Sequence, residues 1–445
     1  MSSQEDCLEI SGPISVNGHI RCGGAKNLST KVIIASILTK SKVILNNVPA
    51  IEDVQCTLAM CSQIGVKYVR EGDMITVDAS KISASSILDY KVTSRISILM
   101  FGVLMHFFDK VQIPLPSGCD LGQRKLDLHV HILERFGCTV IESDESMCVT
   151  KKPGRLAAQS VHISKPSVGA TETAILLSVL ADGKSIISGI AIEPEIHCLI
   201  LFLQSAGARI MYSGERELVI EGVDKLRDLT FNIPGDRIEA ASWACLACAT
   251  HGDLIVSGID MEHMSTFLGP YSMMGGGFDL IDSNHIRFFR AEQDLRPILL
   301  ETGPYPQIST DYQPMLATLM TQASGASIIH ETLFDNRLNY LQQFKLYGVD
   351  STIYTECLGV GCKFNGQNSQ HSAIIHGLTK YTEPNSVVMV DSIRNGFAYI
   401  ILACCTPGRS VINKIGIIRR GISHLETKLT QAGALTPCNY LRYKQ

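Results

Sequence analysis

Charge and aromatic rings are both scarce in this chain: charged residues fill 18% of its 445 positions, aromatics 6%, and there is one tryptophan. With 39 basic against 43 acidic residues the formal charge is −4, so no global basic field exists to coat nucleic acid or anionic lipid, and neither is expected as a partner. Long polar or low-complexity tracts are missing, and 45% hydrophobic residues suffice for sizeable cores, which excludes a disordered chain. No apolar run is long enough to cross a bilayer. The longest, Ile96 to Phe108, sits between Arg95 and Asp109 and reads as a buried helix. The opening residues, MSSQEDCLEISGPISVNG, lack the basic start and apolar centre of a secretory signal, which predicts a cytoplasmic protein.

Cysteine is plentiful but scattered. The 15 residues are an odd number, and Cys198, Cys245, Cys248, Cys404 and Cys405 lie in apolar stretches where cysteine acts as a small core residue. Cys357 and Cys362 share no zinc-ligand spacing with a second Cys or His cluster, and HExxH does not occur, so no metal is expected.

What the chain does have is a repeat. A helix-like segment that ends on glycine and enters a strand recurs at Gly65, Gly137, Gly207, Gly276, Gly348 and Gly433, roughly 70 residues apart with a longer last interval. About two dozen residues before each glycine a β-branched run begins, at Lys42, Lys110, Lys184, Asp253, Ala326 and Arg409. A left-handed glycine stops a helix without a Cβ penalty, and Val/Ile runs suit a pleated strand. Six α/β units predict two pseudo-symmetric domains of three units each, with a boundary between Arg227 and Gly235 and a ligand site in the cleft between them. A six-unit solenoid is the alternative.

Several segments have the makings of an anion site. Gly23-Gly24-Ala25-Lys26-Asn27 precedes a helical pattern, so Lys26 and a helix start can hold a phosphate or carboxylate; a solvated lysine beside a turn is the plainer alternative. Lys165-Pro166-Ser167-Val168-Gly169 precedes the apolar helix AILLSVLA. Capping explains Thr171 and Glu172 there, but not Lys165, which suits a diphosphate. Cys119 lies between Gly118 and Gly122 in a Pro- and Gly-containing loop, where Arg124 and Lys125 can lower its pKa. Asp236-Arg237-Ile238-Glu239, Ser309 to Gln313, Glu331 to Arg337 and Asp391 to Gly396 each put charge at the edge of an apolar segment, and each taken singly suits a cap or salt bridge.

In order, GAKN (Gly24–Asn27), the PxGCxxGxRxxDLH loop (Pro116–His129), SVGAT at Ser167, EPE at Glu193, DRIE at Asp236, TDxQ at Thr310, ETxFxNR at Glu331 and the late Arg394 resemble the enolpyruvyl transferase family over nearly the whole chain. The resemblance implies an α/β (α+β) fold of two inside-out α/β barrel domains, each of three repeated βαβαββ-type units. One domain is expected at 26–234, carrying the Cys119 loop, and the other at 1–25 plus 235–445. The implied reaction moves the enolpyruvyl group of phosphoenolpyruvate to the 3'-hydroxyl of UDP-N-acetylglucosamine with release of phosphate, the first committed step of peptidoglycan synthesis, and needs no cofactor.

The same resemblance implies roles. Cys119, Asp311, Lys26 and Arg394 match catalytic positions, with Cys119 as proton donor to the methylene carbon and Asp311 as acceptor of the sugar hydroxyl proton. Lys26, Asn27, Arg124 and Arg394 match the phosphoenolpyruvate site. Asn27, Arg95, Arg124, Lys125, Leu126, Asp127, Leu128, Lys165, Ser167, Val168, Gly169, Asp311 and Leu333 match the nucleotide-sugar side. The family pattern is broken at Lys125, where proline is usual, at Tyr305, where histidine is common, at Leu99, where some members have tryptophan, and by extra residues at Gly235 and in Asp391–Arg394. Two alternatives follow: a paralogue acting on another uridine nucleotide in a specialised pathway, or a catalytically dead nucleotide-sugar-binding regulator. A monomer or weak homo-oligomer is expected.

Overall fold

The structure, a computed structural model, describes residues 6–87, 95–114, 126–143 and 146–435, with the Arg95 side chain left out. Two strands come first, β1 (Cys7–Gly12) and β2 (Asn17–Arg21). The first repeat follows: α1 (Lys26–Ser36), β3 (Lys42–Asn46), α2 (Glu52–Gln63), β4 (Lys67–Glu71) and β5 (Met74–Asp78). The second is α3 (Leu99–Leu104), β6 (Lys110–Pro114), α4 (Asp127–Arg135), β7 (Thr139–Glu142) and β8 (Ser146–Thr150). The third is β9 (Ser160–His162), α5 (Val168–Ser178), β10 (Lys184–Ser188), α6 (Pro194–Ser205), β11 (Arg209–Gly214) and β12 (Glu217–Glu221), after which comes β13 (Leu229–Asn232).

The fourth repeat is α7 (Arg237–Ala249), β14 (Asp253–Ser257), α8 (Met261–Met273), β15 (Gly276–Asp282) and β16 (His285–Arg290). The fifth is β17 (Leu299–Glu301), α9 (Gln313–Met320), β18 (Ala326–His330), α10 (Leu341–Phe344), β19 (Asp350–Tyr354) and β20 (Ser372–His376). The sixth is β21 (Val388–Met389), α11 (Ile393–Cys405), β22 (Gly408–Asn413), α12 (Gly416–Arg419) and α13 (Leu425–Gln431).

The chain divides into two compact units, Gly24–Ile233 and Met1–Gly23 with Pro234–Gln445. Each has its own apolar core and three small sheets, β13-β3-β5-β4, β6-β8-β7 and β11-β12-β10-β9 in one, β15-β16-β14-β2, β17-β18-β20-β19 and β1-β22-β21 in the other. In three repeats the strand before the inner helix pairs parallel with the strand after it, β9 with β10, β17 with β18 and β21 with β22. Two strands serve a repeat from afar: β13 stands beside β3, and β2 beside β14. β1 pairs antiparallel with β22, from Cys7 opposite Asn413 to Gly12 opposite Gly408.

Helices α1, α3 and α5 pack on one another in the first unit, as α7, α9 and α11 do in the second. Every residue of α7 and of α9 is buried, as is α5 from Ala170 to Ser178. A helix without a polar face has to lie inside, while α4, which buries only Ile132 and Leu133, lies outside. Helices inside and sheets outside is the inside-out arrangement expected. The six sheets remain separate, so among the described residues no continuous ring of strands closes.

Gly65, Gly137, Gly207, Gly348 and Gly433 end their helices with φ of 92°, 81°, 102°, 81° and 75°. In the fourth repeat the stop is Gly275 at φ 104°, not Gly276. Gly276 already belongs to β15, and a Cβ there would come within 2.5 Å of the Tyr271 ring. Residues from 436 onward, where a strand was expected after Gly433, are outside the described residues. All six β-branched runs form strands. The Ile96–Phe108 run is shorter as a helix than expected: a 3-10 turn at Arg95–Ile98 leads into α3, which stops at Leu104.

Candidate active site

In the unit Gly24–Ile233, Lys26 is the first residue of α1, whose start carries no side-chain cap. Its ammonium lies 2.8 Å from the Asp53 carboxylate, and Asn27 follows it on the helix. Gly24 serves packing rather than approach to a ligand, because a Cβ there would lie 1.8 Å from the carbonyl oxygen of Asn47. Ser167 is the cap of α5, its hydroxyl accepting from the Ala170 amide at 3.4 Å, with Val168 and Gly169 in the first turn and Lys165 exposed just before it.

Capping does not account for Thr171 and Glu172. Thr171 Oγ1 donates to the Ser167 carbonyl at 2.8 Å and accepts from the Ala191 amide at 2.9 Å, tying two loops together. Glu172 is buried 3.8 Å from Lys31; burial raises its carboxyl to about 7, Lys31 works against the rise, and Glu195 and Glu193 add to it.

The start of α4 supplies Leu126, the exposed Asp127, and Leu128. His129 joins this segment to α5, with Nδ1 2.8 Å from Thr173 Oγ1 and its ring so close that a Cβ on Gly169 would lie 2.9 Å from it. The structure therefore brings Leu126–Leu128 and Ser167–Gly169 together. Cys119, Arg124 and Lys125 lie outside the described residues, as does the Arg95 side chain.

In the other unit Asp311 stands between two guanidiniums, 3.4 Å from Arg337 and 3.3 Å from Arg394. Arg394 is the second residue of α11, whose cap Ser392 accepts from the Asn395 amide. Behind Asp311 lies a fully buried carboxylate, Glu331. One of its oxygens accepts from Thr310 Oγ1 and Gln313 Nε2, both at 2.7 Å, and the other from the Leu333 and Phe334 amides at 2.8 and 3.1 Å. Arg337 Nε donates to Thr310 Oγ1 at 3.2 Å. Asp236 caps α7, and Arg237 donates to the Tyr312 hydroxyl at 2.7 Å. Glu239 accepts from Trp243 Nε1 at 3.1 Å and from Lys428.

The family model described as EPSP synthase (3-phosphoshikimate 1-carboxyvinyltransferase) matches residues 10–429. The chain belongs to the EPSP synthase family. A UDP-N-acetylglucosamine 1-carboxyvinyltransferase of Protochlamydia amoebophila is 37% identical over 96% of this chain and 93% of its own length. The protein of the same name from Chlamydia trachomatis serovar A is 35% identical over 96% and 97%. Among solved structures, the enolpyruvyl transferase NikO from Streptomyces tendae superposes with a TM-score of 0.85 at 20% identity, covering 97% of this chain and 98% of that one. An EPSP synthase from Acinetobacter baumannii follows at 0.72 and 15% identity, covering 96% and 98%. The fold shared with these EPSP synthase relatives is the one described above.

Sequence reasoning assigned no role to Arg337, Glu331, Thr310 or His129, although the motifs containing them were visible. Nothing in the spacing signalled that Lys31 meets Glu172, since they come from α1 and α5. The expectation that Cys357 and Cys362 meet no histidine cluster is corrected: His330 and His371 converge on them. His330 comes from β18, so the grouping depends on sheet pairing and not on local spacing. The C-x-x-C spacing from Cys245 to Cys248 lies inside α7, where both residues are buried as core.

Proposed function

We propose that the protein transfers the enolpyruvyl group of phosphoenolpyruvate to the 3'-hydroxyl of UDP-N-acetylglucosamine, releasing phosphate, as its chlamydial relatives' name describes. The observation that carries this is the agreement between relatives of that name along 96% of the chain and the chain's own Lys26, Cys119, Arg124, Asp311 and Arg394. Asp311 takes the sugar hydroxyl proton, the freed oxygen bonds to C2 of phosphoenolpyruvate, and the Cys119 thiol gives a proton to C3. The resulting ketal loses a C3 proton as its C2–phosphate bond breaks.

Each chain residue has a task in this scheme. Arg394, Lys26 and Arg124 offset the charge of a trianionic donor, with Asn27 beside Lys26. Arg337 and Arg394 hold the Asp311 carboxylate, both within 3.4 Å. Lys165 and the head of α5 (Ser167, Val168, Gly169) serve the diphosphate, which suits a cation beside a helix start. Leu126–Leu128, Arg95, Lys125 and Leu333 line the nucleotide-sugar side. The protein is assigned to the cytoplasm; among the described residues no helix is long and apolar enough to cross a membrane.

Phosphate release by the pure protein, with phosphoenolpyruvate and a panel of uridine nucleotides, tests the proposal. Turnover with UDP-N-acetylglucosamine is the expected result. Turnover only with another uridine nucleotide would place the protein among paralogues, the outcome for which Lys125, Tyr305 and Leu99 leave room. Binding without any turnover would make it a regulator.

A further inference from the structure

Tight turns join the paired strands in three of the repeats. Two residues link β4 to β5, β11 to β12 and β15 to β16, whereas residues 355–371 separate β19 from β20. A connection of that length, with no strand or helix of its own, needs more than backbone pairing to hold it in place. Three of its residues, Cys357, Cys362 and His371, meet His330 at the end of β18, and one ligand atom from each lies within 4.8 Å of the others.

The spacing is that of a tetrahedral ion. Cys357 Sγ lies 3.7 Å from Cys362 Sγ and 3.3 Å from His371 Nε2. Zinc, with bonds of about 2.3 Å to sulfur and about 2.0 Å to nitrogen, sets edges of about 3.8 Å between sulfurs and about 3.5 Å between sulfur and nitrogen. Both thiols are free.

The surroundings orient three of the four groups. His371 Nδ1 meets the Ser369 carbonyl at 2.7 Å, an acceptor only, so the proton sits on Nδ1 and Nε2 faces the sulfurs with its lone pair. His330 Nδ1 meets the Glu301 carboxylate at 2.7 Å with the same consequence. His330 is fully buried, and its Nε2 has no hydrogen-bond partner, a costly state for a buried polar atom. The Phe364 amide points at Cys362 Sγ from 3.4 Å, as suits a thiolate. Glycine at 359 lets the loop close over this arrangement, since a Cβ there would lie 2.4 Å from both Glu301 Oε2 and His330 Nδ1.

We propose that Cys357, Cys362, His371 and His330 form a closed structural zinc site that pins residues 355–371 to β18. Two thiolates and two neutral imidazoles balance the dication, so binding releases both thiol protons. β18 runs directly into Glu331, and Lys363 of the pinned loop donates to the Leu333 carbonyl. The ion thus braces the segment that carries Glu331 and Leu333 from its far side, without touching substrate.

The test uses the full chain, purified with reductant and supplied with zinc, beside the double variant C357S/C362S. Elemental mass spectrometry should find about one zinc per wild-type chain and at least about tenfold less in the variant. Cobalt(II) exchanged into the wild type, which is informative even if the variant does not fold, should give the visible bands of a tetrahedral ion with sulfur charge transfer in the near ultraviolet. A wild-type chain that takes up no zinc overturns the proposal. So does an octahedral cobalt spectrum without sulfur charge transfer, a variant that keeps its zinc, or a Cys357–Cys362 disulfide in the reduced preparation.

Discussion

Replacing Glu331 with glutamine probes the arrangement behind Asp311 more sharply than any other single change. The carboxylate accepts four hydrogen bonds, two from side chains at 2.7 Å and two from backbone amides at 2.8 and 3.1 Å. An amide has the same shape but only one oxygen. Turned toward the Leu333 and Phe334 amides, its NH2 leaves both donors without an acceptor; turned toward Thr310 and Gln313, it lets the hydroxyl rotate to accept, but the Gln313 amide must flip to present its Oε1 and give up its Nε2 bond. A buried group left unsatisfied costs about 1–3 kcal/mol, so Glu331→Gln should destabilise its unit by about 1–3 kcal/mol, a sizeable share of the 5–15 kcal/mol typical of a folded domain. The single tryptophan, Trp243, is buried in this same unit, so a urea titration followed by its fluorescence reports on the right part of the chain. Turnover should fall as well, because Thr310 and Leu333 flank or support the Asp311 position. A variant as stable as wild type to urea would show that these four bonds are not made in solution, and the account of the site would fail with them.

Other predictions follow from the same contacts. Asp311→Asn should lower kcat by about 10²–10⁴-fold while nucleotide binding by calorimetry changes little; a variant turning over at near wild-type rate would remove Asp311 as the base. Glu172, raised by burial to about 7 from an ordinary value near 4.5, holds its proton more tightly folded than unfolded, so its contribution to stability is complete below about 4.5 and is lost as pH rises toward 7. Glu172→Gln should flatten that fall by up to about 3 kcal/mol; calorimetric melts at acid and neutral pH with equal slopes for both proteins would refute it. Cys119 should be the thiol alkylated by the epoxide fosfomycin, as the family resemblance implies, and Cys119→Asp should escape alkylation yet keep some turnover where Cys119→Ser loses most of it. Peptide mass spectrometry that places the adduct on another cysteine counts against the role of Cys119.

The parts of this structure that were legible beforehand are those written as local pattern. Helix-stopping glycines and β-branched runs have a period, so the three-plus-three architecture could be counted from them, and the slip from Gly275 to Gly276 arose where three glycines in a row offer the same signal. Asp311 and Arg394 were named from motif order, but the reason they act together is a contact between a loop before α9 and the head of α11, which no spacing reveals. The Cys357–Cys362 grouping stayed hidden for the same reason: its fourth member is delivered by β18, across a pairing that brings Ile329 opposite Ala373. Glu172 was misjudged because an acidic residue near a helix start looks like a cap from either side of the membrane of burial, and only packing distinguishes the two.

Strand β1 has a consequence for how the molecule comes to be made. Its partner β22 leaves the ribosome long after it; the Glu9–Arg409 pair on these strands is 400 positions apart. At about 5–20 residues per second the amino-terminal strand waits on the order of a minute for its neighbour. Residues 24–233 are complete long before, with all three of their sheets internal to that stretch. Strand β1 is therefore made before residues 24–233 but can take its place only after them, when β22 has emerged.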